Sequence, residues 1–117
     1  PTFNKGQDIN AEATAHLAAL RLERAALANS WALLIRARLL VLEAQGRALD
    51  VIERDALPAA LDNEGLARRS SETGQIRLID WIVLRREAMQ VRREQLDRLR
   101  DIAIASVELD AVAGVIQ

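Results

Sequence analysis

Cysteine is absent from the 117 residues, which excludes a disulfide framework and any thiolate metal centre. That absence leaves the compartment open, because many periplasmic proteins also lack disulfides. Histidine occurs once, at His16, and tyrosine not at all. No Ser-His-Asp arrangement, HExxH pattern or glycine-rich phosphate loop is present, so no enzyme is expected. With only 5 glycines and 2 prolines the chain has few places to turn. An excess of one charge is missing too: the net charge is -1, and arginines alternate with acids, leaving no electrostatic footprint for nucleic acid. No run, LLVLEA included, approaches the 18 or so consecutive apolar residues of a bilayer-spanning helix.

What is present favours helix. Half of the residues are apolar, mainly Ala, Leu, Ile and Val, only 3% are aromatic, and 28% are charged. This A/E/L/R-rich mixture belongs to long helices and coiled coils. The chain opens with PTFNKGQ, with neither an initiator Met nor a signal peptide, and is expected to be a piece of something longer.

From Asp8, placed to cap a helix, to about Ala56 there is no proline. A seam of Leu17, Leu20, Leu27, Trp31, Leu34, Val41, Ala48 and Ile52 runs at coiled-coil spacing, interrupted by Arg24, Arg38 and Gln45. Leu33, Ile35, Leu39, Leu40 and Leu42 lie off that seam and widen the apolar arc, which predicts neighbours on two sides. Pro58 removes a backbone donor and predicts a kink or a restart, with a shorter helix at about 59–72. Thr73-Gly74-Gln75 then supplies a turn, with Gly74 able to take a positive φ. A last helix spans about 77–113, with Leu78, Ile82, Met89, Leu96, Leu99, Ala103 and Asp110 in a seven-residue rhythm, Arg85 and Arg92 filling seam positions and Gly114 ending it. The fold class is therefore all-α: a single long antiparallel helical hairpin, coiled-coil-like and kinked near Pro58, with helices at about 8–56, 59–72 and 77–113. Such a hairpin has a thin interior and needs covering by other helices.

The remaining candidates for chemistry are sparse. Glu12 and His16 share a helical face, but two ligands without a third make a poor metal site, and neither metal nor cofactor is expected. The run RREAMQVRREQLDRLRD at 85–101 reads as a solvated face with intrahelical pairs Glu94 with Arg98 and Asp97 with Arg100. Trp31 lies on the seam and reads as packing. Trp81, within two turns of Gly74, reads equally well as packing or as an interface anchor.

In order, PTFNKGQ, the long A/L/E/R-rich helix, ERDALPAALDNEGLARRSSETGQIRLIDWIVLRRE and the closing ELDAVAG resemble the second repeat of TolC-type outer membrane efflux proteins. The resemblance covers essentially the whole chain and lies in the order and spacing of short motifs. It implies that residues 1–7 are the turn after the last β-strand of the outer membrane barrel, and that residues 73–76 are the turn at the periplasmic tip. The full-length protein would be a trimeric tunnel, energised by an inner membrane pump and docked by a periplasmic adaptor, in the outer membrane and periplasm of a Gram-negative cell. At the tip, the resemblance implies partner binding by Gly74, Gln75, Leu78, Ile79 and Asp80, and a gate closed by polar residues, with Arg77 and Asp80 as candidates. Ser71 and Ile76 stand where the family commonly has an aromatic and a basic gate residue. The same heptads also suit a helical coiled-coil interaction module with no transport role.

Overall fold

The computed structural model describes the backbone of residues 2–116 and the side chains of residues 5–114. All regular structure among them is helical: α1 (Thr2–Val51), a π-helical turn (Ile52–Ala56), α2 (Leu57–Glu72) and α3 (Leu78–Ile116). The first three segments are one continuous rod. At about 1.5 Å per residue, Thr2 to Glu72 should measure roughly 105 Å, and the long axis of the molecule is 106 Å against 19 and 17 Å across. Pro58 therefore restarts the helix without turning it aside.

The π turn explains how. Leu57 donates its amide to the carbonyl of Ile52, five residues back, so the backbone is locally wider where the Pro58 ring would otherwise strike the Arg54 carbonyl. Widening the turn also takes up one extra residue. Before it, the positions turned toward α3 are Trp31, Ile35, Arg38, Leu42, Gln45, Leu49 and Ile52. After it they are Leu57, Ala60, Glu64, Ala67 and Ser71, one step later than an unbroken seven-residue rhythm would place them.

Facing them, α3 keeps an uninterrupted alternation of three and four residues: Trp81, Leu84, Ala88, Val91, Gln95, Arg98, Ile102, Ala105, Leu109 and Val112. The antiparallel register is fixed by side-chain bonds across the seam: Arg38 to Glu108, Gln45 to Arg98, Glu53 to Gln95 and Glu64 to Trp81. Two of the polar interruptions read from the sequence, Arg38 and Gln45, are thus paired across the hairpin. Ala88 is the most enclosed residue, 1% exposed, and the register sets it opposite the Pro58 region, where a small side chain lets the rods approach closely. Among the described residues only Ile52 and Ala67 are otherwise buried, so the core there is a single file of side chains.

Several boundaries differ from the sequence reading. Helix begins at Thr2, so Asp8 lies inside α1 and the turn expected over residues 1–7 is helical from Thr2; Pro1 lies outside the described residues. Residues 2–7 extend the hydrogen-bond ladder of the following helix, since adding a residue to a formed helix avoids the cost of nucleation. Gly114 does not end α3, which continues to Ile116, because one exposed glycine costs a helix only about 1 kcal/mol. The pair Glu94 with Arg98 does not form, since Arg98 turns inward to Gln45 at 2.9 Å; Asp97 does meet Arg100, at 3.8 Å.

The largest correction concerns the seam. Leu34 and Val41 do not face α3; they are 37% and 53% exposed along the flank of α1, while Leu20 and Leu27 lie on the part of α1 that has no helix opposite it. On α3 the stripe Leu78, Met89, Leu96 and Leu99 is likewise exposed, one position away from the true seam. Each long helix therefore has two apolar stripes, of which the hairpin covers one. Beyond the end of α3, α1 continues alone: every residue from Lys5 to Ser30 is exposed.

Candidate functional site

The tip is built from a helix end that closes in a specific way. Gly74 has φ +76°, the left-handed region that only glycine enters at little cost. Reversal there lets the Gln75 amide donate to the Ser70 carbonyl at 2.8 Å and the Gly74 amide donate to the Ser71 carbonyl at 3.1 Å. These are the two bonds of a Schellman cap, and they satisfy carbonyls that a bare helix end would leave to water. The Thr73 hydroxyl adds bonds to the carbonyls of Arg69 and Ser70, both at 3.2 Å.

After the reversal, Ile76 folds back rather than pointing outward. It is half-buried and lines a shallow groove with Asn63, Leu66, Ala67, Ser70 and Leu84. Ser71 is half-buried too, on the seam side of α2. Both positions are therefore used to close the end of the hairpin against itself.

Arg77 starts α3. Its guanidinium grips the Asp80 carboxylate with two bonds of 3.1 Å, and its carbonyl accepts the Asp80 amide. The Arg77 hydrogen bond holds the Asp80 carboxyl below the ordinary aspartate range, against the opposing effect of desolvation; that bond likewise raises the Arg77 guanidinium above its usual value. Asp80 in the first turn also suits the positive end of the α3 dipole. Both candidate gate residues are thus partnered with each other, within one helix turn.

Of the residues expected to bind a partner, Gly74, Gln75, Leu78 and Ile79 are exposed at the tip, with Leu78 and Ile79 more than half so. Asp80 is half-buried by its arginine. Trp81, which the sequence leaves open between packing and an interface anchor, is half-buried, and so is Glu64, one of a series of carboxylates that reads as a solvated surface. The indole Nε1 donates to the Glu64 carboxylate at 2.9 Å across the hairpin, and the Arg85 guanidinium lies over the ring, 5.7 Å from its centroid. An acid at Glu64 one helix away from a lone tryptophan carries no sequence signal, because the pairing depends on the one-residue shift at the π turn.

Elsewhere, Glu12 and His16 line an open face of α1 with Ile9 and Ala13, and no group of three or more metal-ligating side chains is found among the described residues. By length and composition alone, the continuous helix does contain one stretch apolar enough to cross a membrane, where the sequence reading had found none. The apolar region from Trp31 to Leu42 carries Arg36 and Arg38, each opposing insertion by about 2.5–3.5 kcal/mol at a bilayer centre, and Arg38 is engaged with Glu108. That region is better accounted for by its place against α3.

No protein-family model, curated protein or solved structure matches this chain.

Proposed function

We propose that this chain is wall material of a TolC-type outer membrane efflux or secretion channel: a periplasmic helical hairpin that packs beside others and presents its tip to an adaptor. The observation carrying this reading is the second apolar stripe on each helix, left open along a rod 106 Å long. The chain exposes 9316 Å², whereas a compact monomer of 13.0 kDa would expose about 6,300 Å². The difference, roughly 3,000 Å², exceeds the area of a standard protein interface, about 1,600 Å². Side-by-side packing of hairpins uses such a surface; an isolated two-helix rod does not.

Tunnel walls also require straightness, and the continuous path through Pro58 supports that use. The exposed Gln75, Leu78 and Ile79, on a turn braced from within, suit docking of a partner at the end of the rod. In this reading the full-length protein is a trimer, an inner membrane pump supplies the energy, and the chain itself performs no catalysis.

The test uses the full-length parent in its own cell. Fractionation should place it in the outer membrane, and its deletion should raise accumulation of a dye such as ethidium, with restoration by the wild-type gene. Recovery in the cytosol, with dye accumulation unchanged by deletion, overturns the proposal in favour of a helical interaction module.

A further inference from the structure

We propose that Glu64 and Trp81 are positioning residues that set the geometry of the tip, a role resting on the tip-docking reading above. Their bond is the cross-helix side-chain link nearest the turn; the next, Glu53 to Gln95, lies below Pro58. The Schellman bonds join the turn only to the end of α2, and the Arg77–Asp80 bonds join the turn only to the first turn of α3. Neither set fixes the two helices to each other. Trp81 does, by donating from α3 into α2, with its ring held under the Arg85 guanidinium. Leu78 and Ile79 stand within one turn of Trp81 on α3, while Gln75 is carried by the cap of α2. The Glu64–Trp81 link is thus the directional restraint, beside the apolar seam at Ala67 and Leu84, on where these exposed groups sit relative to one another.

The pairing is chemically specific. An indole N–H donates and cannot accept, so a carboxylate oxygen is a matched partner, and a bond to a charged acceptor in a half-buried place is stronger than one between neutral groups. Phenylalanine at 81 would keep a ring for Arg85 and lose the donor. Glutamine at 64 would keep an acceptor oxygen, whereas alanine would not.

Two measurements decide the matter. In this chain, amide exchange at Gln75 and Ile76, whose N–H groups are held by the Ser70 carbonyl, should speed up about tenfold in Trp81→Phe and Glu64→Ala and change less than about threefold in Glu64→Gln, with helical content unchanged. Exchange in Trp81→Phe equal to wild type, or equal loss in Glu64→Gln and Glu64→Ala, overturns the link. In the full-length parent, ethidium efflux in a deletion strain should be restored by wild type and Glu64→Gln and reduced at least about fivefold in Trp81→Phe and Glu64→Ala at equal outer membrane abundance, as expected when a misplaced contact weakens docking by about 1 kcal/mol or more. Full restoration by Trp81→Phe overturns the positioning role alone. Failure of the wild-type gene to restore efflux instead removes the channel reading, while the exchange result still decides whether the link orders the tip.

Discussion

Gly74 is the residue on which the reversal turns. A Cβ built there meets nothing within 4 Å, so any substitution cost is conformational and not steric. Gly74→Ala should lower unfolding stability by about 1–2 kcal/mol, the penalty of the left-handed region for an L-residue, and Gly74→Val by more, while Gly74→Asn should fall below Ala. Urea denaturation of the four proteins checks the order. Asp80 offers a second test. Its folded pKa is depressed by Arg77, so its contribution is present above the unfolded value near 3.9 and is lost as pH falls through the lower folded value. Carboxyl titration by NMR should place Asp80 below the ordinary aspartate range, and Arg77→Gln should return it to that range; an unmoved midpoint in that variant refutes the pairing. At this scale the turn was legible in the sequence, because glycine between two polar helix ends has few other uses. The Trp81 partner was not, because tryptophan announces burial or anchoring without saying to what.

At the scale of the element, the π turn reconciles a proline with a straight rod. It holds one residue more than the seam requires, which makes a specific deletion informative. Removing exposed Arg54 and replacing Pro58 with Ala should yield an unbroken α-helix in which Ile52, Ala60, Glu64 and Ala67 all still face α3. Thermal unfolding should then be at least as high as in the parent, because the Pro penalty of about 3 kcal/mol in a helix interior no longer has to be offset. Deleting Arg54 while keeping Pro58 should unfold earlier than the double change. The helices themselves were readable from composition and from the scarcity of breakers. Their facing was not: Leu20, Leu27, Leu34 and Val41 make a more apolar stripe than the covered seam, which includes Arg38 and Gln45. Hydrophobic strength identifies a surface that must be covered, and it is silent on which neighbour does the covering.

For the whole molecule, the numbers describe a rod. The radius of gyration is 29.2 Å, where a compact 117-residue domain would have about 13 Å. The two stripes on each helix have separable consequences. Ala88→Leu, at the most enclosed of the described seam positions, should destabilise the hairpin by about 1–3 kcal/mol through overpacking. Leu27→Glu with Leu34→Glu, on the open stripe, should leave hairpin unfolding within about 1 kcal/mol and abolish self-association, read by sedimentation. Loss of hairpin stability in the second variant, with association intact, would mean that the open stripe is not an assembly surface.

The single-file seam also makes the chain a ruler. Length can be added or removed only in steps that return every side chain to its own face: seven residues in each rod, about 10.5 Å at a time. Any other step rotates the outer stripe away from its neighbours, unless a bulge like that at Ile52–Ala56 absorbs the remainder. Reach in such a protein is therefore quantised, and the π turn is the vernier that allows one rod to be a single residue out of step with the other.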